Sequence, residues 1–152
     1  MDELNAELAA ALTKLASELA PGRASMSSRN VADHHELELL PANPRAARLL
    51  AVLAPGNKGA TVTLFLGKGS VFEIPERGAR YTDHPLLGEF TALCEAVIKG
   101  RFKEKVRIKG SDDVVASSGT VNVPPAVTAH WRQLFYNPFR PTRTEELEYE
   151  AY

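Results

Sequence analysis

Hydrophobic residues recur at steps of three and four over residues 83–100, and this spacing predicts the central helix of the chain. Asp83 or His84 would cap the start of this helix, and Pro85 suits its first turn because no amide partner is lost there. Gly100 is the predicted stop. The hydrophobic side of this helix consists of Leu86, Leu87, Phe90, Leu93, Cys94, Val97 and Ile98. Such a face requires a sheet to cover it.

Residues 2–20 carry a narrower stripe of leucines at the same spacing and predict a first amphipathic helix, which Pro21-Gly22 ends. This stripe suits either docking on the body of the same chain or pairing with a second copy. Residues 22–34 are rich in small polar side chains and are predicted to form a linker.

Between the two helices the hydrophobic period falls to two, as strands require. We expect four antiparallel strands here, the first starting at His35 and the others within residues 46–54, 61–66 and 71–74. Residues 46–54 also have a composition that suits a short helix. A strand is favoured because residues 55–59 then form a hairpin loop into the next strand.

After Gly100, residues 102–109 alternate cleanly, and residues 114–123 predict the returning strand, with Gly119 as a candidate bulge. Pro124-Pro125 opens a predicted short helix that Asn137-Pro138 ends. The tail from Phe139 to Tyr152 is mixed in character. Its residues 146–151 alternate as a strand does, although Thr142 with Glu145 also satisfies the capping-box pattern of a helix.

These elements predict an α+β fold in the order α-β-β-β-β-α-β-β-α. The expected architecture is a single antiparallel sheet of about six strands with helices packed on one face. The 152 residues are expected to form one domain, because a chain of this length can build a hydrophobic core without cross-links such as disulfides. Within it, residues 1–21 would be a helix, 22–34 a linker, 35–136 the α+β body and 137–152 a tail.

Composition narrows the range of functions. A formal net charge of −1 gives no overall attraction to nucleic acid or to an acidic membrane. Cys94 is the one cysteine, so no intrachain disulfide can form, and its place on an apolar helix face predicts a core residue. No apolar run approaches the ~20 residues of a membrane-spanning helix, and the start of the chain does not resemble a signal peptide. We therefore expect a cytoplasmic protein with no membrane association.

The usual catalytic patterns do not occur in the sequence. Gly67-Lys68-Gly69 joins two predicted strands and opens no helix, so it lacks the context of a phosphate-binding loop. One cysteine cannot supply a zinc set, and no serine stands in a nucleophile-elbow pattern. His34 and His35 would point to opposite faces of a strand, so we do not expect them to share a metal ion. We expect no cofactor, and the alternative is an enzyme that uses dispersed histidines and carboxylates, with His84 and His130 as other candidates.

A basic stripe is the most unusual surface feature. Lys103, Lys105, Arg107 and Lys109 share one strand face about 6.6 Å apart, close to the spacing of phosphates along a nucleic-acid strand. Binding of nucleic acid is therefore a second alternative, although no aromatic side chains are interleaved for stacking. Glu146, Glu148 and Glu150 repeat at the same period, so the tail could pair with this strand in the same chain or in a second copy.

The aromatic residues near the C-terminus would either anchor an interface or close the core. With no converging catalytic groups, we expect a small non-enzymatic protein that binds another protein, as an adaptor, an inhibitor or a toxin-neutralising partner. A homodimer through the first helix or the tail is a further option. The candidate binding residues are Lys103, Lys105, Arg107, Lys109, Trp131, Tyr136, Phe139, Glu146, Glu148 and Glu150.

Overall fold

The structure is a computed structural model that describes residues 2–56, 59–74, 86–123, 127–132 and 141–152. The described helices are α1 (Asp2–Leu19) and α2 (Leu86–Ile98). The described strands are β1 (Ala24–Val31), β2 (His34–Pro41), β3 (Leu49–Gly56), β4 (Gly59–Leu66), β5 (Ser70–Ile74), β6 (Phe102–Lys109), β7 (Asp113–Val121), β8 (Val127–Arg132) and β9 (Thr142–Glu148).

The strands form two antiparallel sheets. The first sheet has the order β1-β2-β3-β4-β5, and the second has the order β8-β7-β6-β9. The α+β class is as predicted, whereas the single sheet of about six strands is wrong. The division occurs because β5 does not pair with β6. Instead, β5 lies against β7 and β8 of the second sheet.

Both helices contribute to one hydrophobic core. Leu8 and Leu12 of α1 are fully buried, and α1 packs on α2 within the same chain. The inner faces of β2 to β5 supply alternate buried residues, such as Leu37, Leu64 and Phe72. The leucine stripe of α1 is therefore buried within the same chain, which was one of the two predicted options.

Gly100 ends α2, as the sequence indicates. Its φ of +75° is a left-handed conformation that suits glycine, and its N–H donates to the Val97 carbonyl at 3.0 Å. A side chain at this position would also meet the backbone N of Ala151 at 2.6 Å. The C-terminal segment therefore packs directly against the end of this helix. Leu87, predicted on the buried face, is 38% exposed, and residues 83–85 lie outside the described part of the chain.

The predicted linker at residues 22–34 is wrong, because most of it forms β1. Only Ala24 and Met26 of this strand contribute apolar side chains to the core side, so its alternation is weak. The turn into β2 is Ala32-Asp33, and Ala32 adopts a φ of +48° that would ordinarily favour glycine or asparagine. Neither the strand nor its turn carries the usual sequence signals.

The predicted short helix after Pro125 is also wrong, because residues 127–132 form β8 and pair along their whole length with β7. Pairing in the sheet outweighs the helical spacing there. The register shift of the second sheet lies between Arg107 and Ile108, not at Gly119, which stands in regular register opposite Glu104. A strand rather than a helix is confirmed within residues 46–54, although β3 runs from Leu49 to Gly56, and residues 102–109 form β6 with the predicted bounds.

Candidate functional site

The basic stripe lies on the exposed face of β6. The acidic residues of β9 stand beside it: Lys103 is opposite Glu148, and Lys105 is opposite Glu146. The Lys105 Nζ is 3.6 Å from the Glu146 Oε1. Because acidic side chains are placed at the same period as the cations, the positive potential of this face is reduced. This arrangement weighs against the nucleic-acid alternative.

The tail forms an edge strand of its own sheet. Beyond β9, Glu150 lies off the basic stripe and accepts hydrogen bonds from Asn43 at 3.1 Å and Arg45 at 3.4 Å. These two partners hold the pKa of the Glu150 carboxyl below its usual value. Tyr152 is buried, and its hydroxyl donates to the Ala47 carbonyl at 2.6 Å. The predicted pairing of the tail therefore occurs within the chain.

Of the three predicted aromatic anchors, the structure describes only the backbone of one. Trp131 belongs to β8, and its side chain lies outside what the structure describes. Tyr136 and Phe139 lie outside the described residues altogether, as does His84.

A buried carboxylate joins the two sheets. Glu104 of β6 is 3% exposed, and its Oε1 accepts the Lys68 N–H at 2.6 Å. Its Oε2 accepts the Ser70 hydroxyl at 2.6 Å and the Gly69 N–H at 3.3 Å, and the Tyr149 hydroxyl also donates to the carboxylate. The amides of the β4–β5 turn thus do bind an oxyanion, but the anion is the chain's own side chain.

The remaining contacts show that this cluster is structural. The Ser117 hydroxyl donates to the Gly69 carbonyl at 2.6 Å. Burial and the hydrogen bond to Glu104 both raise the pKa of Tyr149, so its hydroxyl stays protonated. Each hydroxyl in the cluster donates to an acceptor already held by the protein, which leaves none of them activated as a nucleophile. The cluster fastens the β4–β5 turn to the second sheet.

The two adjacent histidines lie on opposite faces of β2, as predicted. The His34 Nε2 is 3.1 Å from Glu36, and its Nδ1 is 3.3 Å from Asp33; these contacts raise the pKa of His34, with Glu36 contributing most. His35 contacts Ser28 at 3.0 Å and Asn30 at 2.6 Å. Among the described residues, no three side chains are placed to hold a metal ion.

A shallow cleft of about 430 Å³ lies where β6 begins and β9 ends. Arg101 and Lys103 supply positive charge to its wall, and Glu148 supplies negative charge. The rings of Phe102 and Tyr149, which also line it, stack at 5.2 Å with an interplanar angle of 7°. The cleft brings together charges of both signs but no nucleophile beside a base, so its described lining supports no reaction.

The outer face of the first sheet is the most unusual surface of the described chain. Leu50, Phe65 and Val71 lie in adjacent register on β3, β4 and β5, with side chains directed away from the helices. Val52 of β3 and Leu40 of β2 lie on the same face beside this row, whereas the β2 residue in register with Leu50 is Glu38. Leu40 is 42% exposed and Phe65 is 41% exposed. We call these five residues the apolar face.

Two ion pairs within the chain border the apolar face. Arg29 of β1 binds Glu36 of β2, and Arg48 binds Glu38. The carboxyl of Glu36 has its pKa lowered by His34 first and Arg29 second. These two pairs are satisfied within the chain, and Glu73 of β5 adds an exposed carboxyl group on the same face as Val71.

The other chemical candidates do not add a site. Cys94 is fully buried, and burial raises the pKa of its thiol, so it is a core residue as predicted. In the described segments, neither helix has the length and apolar character to cross a bilayer.

Comparison of the chain with known protein families, with curated proteins and with solved structures finds no match. The functional argument therefore depends on the surfaces alone. The apolar face was not predicted as a site, although a signal exists: residues 49–53 are apolar without interruption. A strand with one wet face would alternate instead.

Proposed function

We propose that the protein is a non-enzymatic protein-binding module and that its outer, apolar face of the first sheet is the docking surface. The observation that supports this most is the row of Leu50, Phe65 and Val71 across three neighbouring strands, with the exposed Leu40 of β2 on the same side of the sheet. Single exposed hydrophobic residues are ordinary on a protein surface, whereas contiguous ones mark interaction sites.

The sequence of β3 supports the same function. In an antiparallel sheet with one side in water, apolar and polar residues alternate, whereas a strand covered on both sides is apolar throughout. The run Leu49–Leu53 is of the second kind. Helices cover its inner side in this chain, so a partner would cover the outer side.

The dimensions and charges of the face favour an amphipathic helix as the docked element. Three adjacent strands carry Leu50, Phe65 and Val71 over roughly 10 Å, because neighbouring strands are about 4.8 Å apart. This width matches the ~10 Å diameter of a helix. The paired charges at the border supply no strong field, so the partner is expected to bind through apolar side chains at the centre and neutral polar ones at the rim.

The test is to capture partners from an extract of the cells that produce the protein, with Leu40→Asp and Leu87→Asp variants in parallel. Both leucines are exposed to nearly the same extent, 42% and 38%, but Leu87 lies on α2, away from the apolar face. A bound protein present in stoichiometric amount should be lost with Leu40→Asp and retained with Leu87→Asp.

The proposal fails if the two variants behave alike, or if Phe65→Asp leaves a captured complex unchanged. Circular dichroism of each variant must first show the wild-type spectrum, so that loss of the partner is not loss of the fold. Asp at these exposed positions should change stability little, because each side chain already meets water.

A further inference from the structure

β1 is an edge strand of the first sheet. Among the described strands β1 pairs with β2 alone, and its residues Ser25, Ser27, Ser28 and Asn30 are exposed. In an edge strand, every second residue directs its N–H and C=O away from the sheet, where another strand can bind them. The eight residues of β1 contain no proline or glycine that would block such pairing.

The opposite case is found at β9, one of the two edge strands of the second sheet. Four of the seven residues of β9 are charged, namely Arg143, Glu145, Glu146 and Glu148. Charged side chains of this kind are the ordinary protection of an edge strand against pairing with another chain. β1 has one charged residue, Arg29, and that guanidinium is already bound to Glu36. One edge is protected and the other is not.

We propose that β1 pairs antiparallel with β1 of a second copy of this chain, so that the two five-stranded sheets form one sheet of ten strands. An antiparallel strand pair of identical chains has two-fold symmetry, so the same residues serve both sides. The β1 side chains that would face each other in the dimer are mostly small and neutral. The one charged residue of β1, Arg29, is already paired with Glu36 in each copy.

This dimer is distinct from the proposed docking function, because the edge of β1 and the apolar face are different surfaces. The edge uses backbone groups of β1, whereas the apolar face uses side chains of β2 to β5. Pairing through β1 leaves the apolar face of both copies open and places them on the same side of one sheet. The dimer would then present two docking surfaces to a partner.

The test is the native mass of the purified chain with a Ser25→Lys/Ser27→Lys variant. Directly opposed residues of an antiparallel pair share a face. If the two-fold axis passes Met26, Ser27 or Ser28, the new lysines therefore face each other or Arg29 of the second copy. Within the chain, residue 27 is opposite Glu38, so a lysine there is compatible with the fold.

The wild-type chain is expected at twice its mass of 16.6 kDa, and the double variant should raise the dissociation constant of the dimer at least tenfold. Ser111→Lys, in the exposed turn between β6 and β7, is the control for added charge and should leave the dimer intact. In hydrogen exchange, alternate amides of β1 should become protected as the protein concentration rises.

A wild-type chain that stays monomeric at its highest soluble concentration would overturn the dimer. So would a dimer that the double variant leaves unchanged, or protection of β1 only in a complex with a different protein. Ser25 stands opposite Leu40 across β1 and β2, so the protection of alternate β1 amides, rather than the double variant alone, distinguishes this dimer from pairing through the apolar face. Failure of the dimer and failure of the docking function are therefore distinguishable.

Discussion

The outer faces of the two sheets differ in the side chains that they present to solvent. On the second sheet, β6 presents Lys103, Lys105, Arg107 and Lys109 to solvent, beside the glutamates of β9. On the first sheet, β3 and β4 present Leu50 and Phe65 at the equivalent, outward positions. The charged face is complete within one chain, whereas the apolar face is left uncovered.

On the inner faces the contrast is reversed, because the second sheet is the one that has residues of the unexpected polarity. The inner face of the first sheet is apolar along β2 to β4, while the second sheet directs Glu104 and Ser117 inward. These polar side chains bind the β4–β5 turn of the first sheet. Polar groups thus hold the two sheets together where they meet, and the apolar surface outside remains available for another molecule.

The largest expected effect is loss of the carboxylate between the sheets. Glu104→Ala would leave the Lys68 and Gly69 amides and the hydroxyls of Ser70 and Tyr149 without their acceptor. Buried donors without a partner are costly, and we expect a loss of about 3 kcal/mol or more in the free energy of unfolding. Denaturant unfolding measures this change.

Lys105→Ala is the control for Glu104→Ala, since the next residue of β6 points to solvent and should cost less than about 1 kcal/mol. Equal effects of the two variants would show that the buried carboxylate does not join the sheets.

The next effect concerns how closely the sheets approach. A side chain at Gly119 would lie 2.7 Å from the Ser70 Cβ and 3.2 Å from the Phe102 ring. Gly119→Ala should therefore force β5 away from β7 and lower stability by about 1–3 kcal/mol. Ser118→Ala, on the opposite face of the same strand, should change it by less than about 0.5 kcal/mol. A thermal midpoint that Gly119→Ala leaves unchanged would contradict the close packing described here.

The elements that the sequence predicts correctly have one strong period. In α2, apolar residues follow the helical repeat, and Gly100 marks its end. β6 alternates inward and basic outward residues, with Glu104 as the one inward residue that is not apolar, and its bounds are as predicted. The alternating glutamates of β9 indicate its pairing with the basic stripe, because opposite charges at the same period stabilise neighbouring strands.

The elements that were missed depend on contacts between distant parts of the chain. β1 is mostly polar and becomes a strand through its pairing with β2, and β8 becomes a strand through its pairing with β7. Glu104 interrupts the hydrophobic, inward side of β6, but its partners in the β4–β5 turn lie more than thirty residues away in the sequence. The apolar face required the register of four strands before its residues could be placed side by side.

A smaller effect is expected at the border of the apolar face, where His34 contacts Glu36. The pKa of His34 is raised above its ordinary value of 6.5, so its contribution to stability is complete below that pH and is lost as the pH rises through the folded-state pKa. The pKa of Glu36 is lowered below 4.5, so its contribution is present above that pH and is lost on acidification. The contact between His34 and Glu36 should therefore contribute most to stability between pH 4.5 and pH 6.5.

His34→Gln should accordingly lower the thermal midpoint more at about pH 5.5 than at about pH 8, because the charged imidazolium is the form that the carboxylates stabilise. The same comparison with His35→Gln, whose contacts are Ser28 and Asn30 rather than carboxylates, is the control. A difference between His34→Gln and the wild type that is equal or larger at the higher pH would show that charge is not what joins His34 to Glu36.

The smallest expected effect tests whether the charged face of the second sheet is purely a solvated surface. Lys105 and Glu146 are well exposed and 3.6 Å apart, so their coupling in a double-mutant cycle of alanine variants should be under about 0.5 kcal/mol and should weaken in high salt. A coupling several times larger would mean that β9 is held to β6 chiefly by charge. The period-two glutamates would then be the main determinant of how the tail joins its sheet, and the contrast between a self-sufficient charged face and an uncovered apolar face would be sharper still.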